Sequence, residues 1–333
     1  MSQPSSGATP RTRRGFDAVR FLEKYGTLLF LLALVAIFTL LNERFLSSRN
    51  VTNILTEVSI FGIIAVGMTY VILTSGVDLA VGSLLAFASM CGAWTVHQMG
   101  GDFNLTWLVA ISIACVVGTA VGYLHGKAIT LLNVPPFIVT LGGMTIWRGA
   151  TLILNEGGPI SGFDEGYRWW GRGTLLGIPV PVLVFALVAL AGYVLQRYTR
   201  YGRQVYAVGG NPEAARLTGI DVKRVLVSVY VMVGFLAGLS GFLLSARLGS
   251  SEAVAGVTYE LRVIASVVIG GTSLFGGLGG VGGTIIGALL IGVLSNGLVM
   301  MNVSPYYQQV IIGAIIILAV AFDTYAKTRR GRR

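Results

Sequence analysis

Charge is scarce in this sequence. Asp, Glu, Lys and Arg make up 11% of its 333 residues, less than half the share usual in soluble domains. That scarcity, with 54% hydrophobic residues and a mean hydropathy of +0.77, excludes an ordinary soluble protein. Cysteine and histidine are nearly absent. Cys91 and Cys115 both lie in apolar runs, so they read as packing residues rather than as a disulfide or metal pair. His97 and His125 are far apart and have no Asp, Glu or Cys at ligand spacing, which leaves no metal site to predict. A phosphate-binding loop of the form GxxxxGK followed by Ser or Thr is missing too. The nearest stretch, "VGYLHGKA" (121–128), misplaces the first glycine and carries Ala128 where the hydroxyl belongs. There is no Ser-His-Asp set and no paired-carboxylate arrangement, so the residues do not read as an enzyme.

Long apolar runs are what the sequence does contain. A hydrocarbon core about 30 Å thick needs roughly 20 apolar residues per crossing helix, and the chain supplies many such runs. The short alternating segments of a membrane β-barrel are missing. The fold expected is therefore all-α and polytopic, with about ten transmembrane helices near 26–43, 58–74, 79–97, 107–132, 136–154, 179–196, 225–246, 260–271, 284–301 and 307–325. A polar piece at 42–56 and a long loop at 155–177, holding Trp169 and Trp170, are expected outside.

Charge placement orients the chain. The formal net charge is +10, but a nucleic-acid surface does not follow, because the basic residues flank spans. Arg11, Arg13, Arg14, Arg20 and Lys24 precede the first run, and Lys327, Arg329, Arg330, Arg332 and Arg333 follow the last. Basic residues beside spans mark the cytoplasmic side, so both termini are expected there, with an even number of crossings. The run from Gly26 to Leu41 is long for a signal peptide and lacks a small-residue cleavage site after it. The division expected is a basic cytoplasmic tail at 1–25, one transmembrane domain at 26–326 with a cytoplasmic loop at 197–224, and a basic tail at 327–333.

That loop is the most basic internal one, and it contains "GGNPEAARLTG" (209–219). Asn211 is placed to cap a short helix, Pro212 suits its first position, and Glu213 suits the positive end of its dipole. Gly219 is placed to end the helix in a left-handed cap, followed by apolar Ile220.

Other residues admit two readings each. Asp78 is either an N-cap for the third span or a gate within the membrane, the cap being preferred. Pro135 and Pro136 either begin a helix after a turn or form a gate, the helix start being preferred. Arg148, deep in an apolar run, snorkels outward or contacts a substrate, with snorkelling preferred. Thr140 and Asn296 either bridge helices or face a pathway. Gly118, Gly122 and Gly126, like Gly279, Gly283 and Gly287, recur every four residues and Gly234 pairs with Gly238, a spacing that lets helix backbones approach closely.

Four stretches carry a family resemblance. "ILTSGVDLAVGS" (72–83), "PPFIVTLGGM" (135–144), "GGNPEAARLTGI" (209–220) and "YELRVIASVVIGGTSLFGGLGG" (259–280) occur in order. Together they resemble the permease subunits of ATP-binding cassette sugar importers of the ribose-permease type, a type II importer architecture. The resemblance covers nearly the whole chain after about residue 25. It implies that Asn211, Glu213, Ala214, Ala215, Arg216 and Gly219 form a coupling helix that docks on a separate ATPase subunit, where ATP and Mg would bind. It further implies a second permease chain, in the simplest case a homodimer, and a sugar-binding protein docking from outside. The setting implied is the bacterial inner membrane and its lipid. Asp78, Phe137, Thr140, Phe275 and Asn296 are the pathway or gate candidates. Arg262 departs from the pattern, which often carries an acid there. Other readings are a permease of the same superfamily for amino acids or nucleosides, an ion-coupled secondary transporter, disfavoured by the few midspan acids, and a membrane enzyme, disfavoured by the missing chemistry.

Overall fold

The computed structural model describes residues 18–100 and 105–330. Arg11, Arg13, Arg14, Arg332 and Arg333, on which the basic-tail reading partly rests, lie outside the described residues.

Thirteen helices and four two-residue strands follow one another among the described residues. Helix α1 (Ala18–Leu41) leads through a tight turn to α2 (Ser48–Leu73), and α3 (Val81–Gln98) and α4 (Thr106–Leu132) follow. Helix α5 (Pro136–Leu154) starts after Asn133, which adopts a left-handed backbone, with Pro136 in its first turn. Short elements come next: β1 (Ile160–Ser161), α6 (Glu165–Arg172), β2 (Thr174–Leu175) and β3 (Ile178–Pro179). Then α7 (Val180–Tyr198) leads into α8 (Arg200–Gly210), α9 (Pro212–Leu217) and α10 (Val222–Leu248). The chain closes with β4 (Ser250–Ser251), α11 (Tyr259–Ile269), α12 (Val281–Met300) and α13 (Pro305–Arg330).

The all-α, membrane-type architecture stands, but length and composition do not yield ten spans. Six described helices are long and apolar enough to cross a membrane: α2, α4, α5, α7, α10 and α12. Helix α11 has eleven residues, which at 1.5 Å each reach about 16 Å, half a hydrocarbon core. The apolar part of α1, Gly26–Leu41, is also shorter than a full crossing. The polar piece expected outside at 42–56 is mostly helix. Ser47 caps α2 by accepting from the Asn50 N–H, and the Asn50 amide in its first turn pairs with Asn296 of α12. Nor is the 155–177 segment a bare loop. Asp164 caps α6, Tyr167 is fully buried with its hydroxyl 2.8 Å from that of Ser245, and Arg172 donates to the carbonyls of Arg247 and Leu248. Strand β1 pairs antiparallel with β4, and β2 with β3. These short elements are thus pinned to the end of α10.

Helix α2 is the centre of the molecule. From Val58 to Leu73 every side chain is buried, against α7, α10, α11 and α12. Polar groups on it are matched rather than left in the apolar interior. Thr69 pairs with Thr284 at 2.7 Å, the Tyr70 hydroxyl donates to the Gly192 carbonyl, and the Ser240 hydroxyl donates to that of Ile60.

A second seam joins α4 to α10, and there the glycine spacing acts as expected. Gly118 lies on the backbone of Gly234, and Gly122 on the Tyr230 carbonyl. A Cβ on Gly126 would come within 2.8 Å of the Val227 Cα. The two backbones approach without intervening side chains, a packing mode suited to helices that gain little from hydrophobic association in lipid.

Candidate coupling site

The loop between α7 and α10 folds into two helices, α8 and α9. Thr199 caps α8 by accepting from the Gly202 N–H. One face of α8, carrying Gly202, Val205, Val208 and Gly209, is buried. Tyr201 shares a hydrogen bond with Ser228, and the Tyr206 hydroxyl donates to the Gly279 carbonyl at 2.6 Å. Burial pushes the Tyr206 phenol above its usual range, with Arg197 pulling it part of the way back, so this donor keeps its proton through the physiological range. Sequence reasoning missed α8. Its signal was there in the apolar and glycine positions three and four residues apart between 202 and 209.

Helix α9 then stands out from this platform. The Asn211 side chain accepts from the Ala214 N–H at 3.0 Å. At the other end the Ile220 N–H bonds to the Ala215 carbonyl and the Gly219 N–H to that of Arg216, with Gly219 at φ +84°. This is the Schellman arrangement, which leaves few orphaned groups on so short a helix. Asp221 begins α10 by accepting from the Arg224 N–H. Glu213, Arg216 and Leu217 project into open space, and Glu213 pairs with Arg216 at 3.1 Å. Ala215 differs from Ala214 in its exposure. It is buried against the platform, so only Ala214 of the two alanines presents its face outward.

The platform beneath α9 meets the end of α2. Gly209 lies directly on the Leu73 carbonyl, which also accepts from the Gly277 N–H at 2.9 Å. The Ser75 hydroxyl donates to the Phe275 carbonyl at 2.8 Å. Three segments therefore close on one another: the end of α8, the turn after α2, and the glycine-rich turn before α12.

The pathway candidates do not form one group. Phe275 sits in that glycine turn with its ring exposed. Phe137, also exposed, and Thr140, fully buried, lie in the first turns of α5. Thr140 donates to the Pro136 carbonyl of its own helix, with the Val77 carbonyl 3.3 Å away. Asp78 is fully buried beside them, and its role differs from the expected N-cap. Ala80 occupies the cap position of α3, while an Asp78 carboxylate oxygen accepts from the Ala80 N–H in the turn before it. Asn296 is at the far end of α2, joined to Asn50 by two amide hydrogen bonds of 2.9 and 3.0 Å. The 26 residues of α2 place about 39 Å between its two ends.

Arg148 does not snorkel. Its guanidinium is bound to the carbonyls of Ala253 and Ala255, so it ties α5 to the segment before α11. The unexpected Arg262 has a partner in Glu57 of α2, at 2.8 Å, and lies over the Tyr259 ring. His125, read as unsupported in the sequence, has Asp78 beside it and accepts from the Trp147 indole.

The family described as "Branched-chain amino acid transport system / permease component" matches residues 50–320, from the first turn of α2 into α13. The chain belongs to this permease family. It is similar to the ribose import permease protein RbsC of Escherichia coli (strain K12), with 44% identity over 315 residues, covering 93% of this chain and 96% of the relative. The RbsC of Bacillus subtilis (strain 168) is also 44% identical, over 317 residues, covering 95% and 96%. The galactose/methyl galactoside import permease protein MglC of Escherichia coli (strain K12) is 37% identical over 324 residues, covering 93% and 96%. The whole α8–α9 platform and the turns it touches fall inside the matched permease region.

Proposed function

We propose that this chain is the permease subunit of an ATP-driven importer that moves a monosaccharide or related polyol across the bacterial inner membrane. The observation that carries the coupling is α9, a six-residue helix capped at both ends and seated on α8, with Glu213, Ala214, Arg216 and Leu217 facing outward. A closed, short helix moves as a unit. Pressure on it passes through α8 to the end of α2 and to the glycine-rich turn at 270–280. Likeness to import permeases for ribose and galactose over nearly the whole chain supports the sugar class.

In this arrangement the chain performs no chemistry. ATP and Mg bind a separate ATPase subunit, whose cleft receives α9 and the loop 197–224. The domain at 26–326 crosses the membrane about ten times, α1, α3, α11 and α13 joining the six helices that are long and apolar enough by themselves. Both termini lie in the cytoplasm. A second copy of the permease faces the first across the pathway, and a sugar-binding protein docks on the outer elements around α6. Asp78, Phe137 and Thr140, at the start of α5 and in the turn before α3, gate the pathway, with Phe275 contributing from the glycine-rich turn; Asn296 serves instead to bridge helices.

The test is co-purification of the chain with its ATPase subunit, native against Glu213→Ala. The native pair is expected to assemble and to hydrolyse ATP in response to a sugar-loaded binding protein. The variant is expected to lose most of that stimulation. Transport by the native chain alone, without ATPase or ATP, would overturn the proposal.

A further inference from the structure

A buried polar chain runs across three elements behind the coupling platform. Asp78 is fully buried in the turn between α2 and α3, and His125 on α4 is 5% exposed. One Asp78 oxygen accepts from the Ala80 N–H at 2.8 Å. The other lies 3.8 Å from His125 Nδ1, and neither of these two atoms has a hydrogen bond. On the opposite edge of the ring, His125 Nε2 accepts from Trp147 Nε1 of α5 at 3.0 Å.

An indole N–H only donates. Nε2 must therefore be bare, and the single proton of a neutral imidazole sits on Nδ1, facing the Asp78 carboxylate. The slot that holds the ring is shaped for it. Gly143 of α5 lies directly against Nε2, where any Cβ would collide with the ring, and Phe87 packs on Trp147 with centroids 5.2 Å apart. A second proton, on Nε2, would set one N–H against another and break the link to Trp147. It would also draw the ring toward the carboxylate. The link between α4 and α5 thus exists only while His125 is neutral.

The other polar groups around the pair do not substitute for either partner. From α10, the Tyr230 hydroxyl lies 3.4 Å from the Val77 carbonyl. From α3, Ser83 donates to the Ala80 carbonyl. On α4, Lys127 turns away over the Tyr123 ring. On α5, Arg148 is bound to Ala253 and Ala255. From α11, Glu260 lies against Gly82, one step into α3, and interacts with Arg148.

We propose that Asp78, His125 and Trp147 form a proton-sensitive latch that fastens α5 and α4 to the turn after α2, and that its opening slows the ATP-coupled cycle. The turn it fastens is the one whose Leu73 and Ser75 contact the glycine-rich turn under the coupling platform. The latch is a property of the chain itself; only its effect on the cycle rests on the importer reading.

The test begins with tryptophan emission of the purified full chain in lipid nanodiscs, titrated from neutral to acid pH. Subtracting the Trp147→Phe titration isolates Trp147. A protonated imidazole quenches a neighbouring indole, so a single quenching step is expected in the native chain and its loss in His125→Gln. His125→Asn serves if the glutamine variant does not fold. A flat native signal, or a step that survives both His125 variants, overturns the latch. Sugar-stimulated ATP turnover of the reconstituted complex is then followed over the same range. The native complex is expected to lose turnover along the quenching step and His125→Gln to lose that acid limb; coincident profiles overturn the effect on the cycle. An optical step in a chain that never responds to ATP would remove the importer reading and leave the latch standing.

Discussion

Single residues show most sharply what was readable without a fold. Asn211 and Gly219 were legible because capping is a local matter. A side chain three residues from an N–H, and a glycine before an apolar residue, act within one turn. Asp78 and His125 were not legible as a pair, since only the packing of α4 and α5 against the turn after α2 brings them together. Arg262 was visible as an anomaly, but its explanation lies on another helix. Its guanidinium is 2.8 Å from Glu57, and both side chains are mostly buried, at 21% and 31% exposure. Arg262→Glu should therefore set two acids side by side and lower stability by roughly 1.5–3 kcal/mol, the scale of a charged hydrogen bond. Pairing it with Glu57→Arg should recover most of that loss, as read by thermal unfolding in detergent. Recovery absent from the double variant would mean that the surroundings, not the pair, set the charge at each site.

At the scale of elements, the glycine spacing foretold close helix packing but not its partner. Gly118, Gly122 and Gly126 gave the face of α4; only the structure supplies Gly234, Tyr230 and Val227 of α10 opposite it. Gly122→Leu should fail to accumulate as folded protein, because its side chain would occupy the Tyr230 backbone. Gly149→Ala on α5 meets no atom within 4 Å and should be neutral or stabilising by up to ~1 kcal/mol, the helix-propensity gain over glycine. Monodispersity and melting temperature in detergent separate the two outcomes, and similar behaviour of both variants would argue against a tight seam. Short helices were the hardest elements to read. Helix α8 is half polar and α11 is eleven residues long, so neither gives the sustained apolar run that marks a crossing.

For the molecule as a whole, charge and the order of spans predict an orientation that the fold makes testable. Helix α7 has 19 residues, about 28 Å of length, so the β2–β3 hairpin before it and α9 after it lie near opposite membrane faces. A cysteine at Leu176, 95% exposed in that hairpin, should react with an impermeant maleimide added outside, and one at Leu217, 85% exposed on α9, should react only from the cytoplasm. Cys91 and Cys115 are replaced by alanine in both. Labelling of both sites from one face would overturn the assigned topology. The central place of α2 also bears on synthesis. It leaves the ribosome early, carrying Asn50, Glu57 and Thr69, yet the groups that satisfy them, Asn296, Arg262 and Thr284, are translated late. Until the last third of the chain arrives, Thr69 keeps its bond to the Ala65 carbonyl and Asn50 its bond to the Phe45 carbonyl, but the Glu57 carboxylate has no guanidinium beside it. A chain cut before α12 never acquires Asn296 or Thr284, and should therefore be degraded in the membrane faster than the full-length protein.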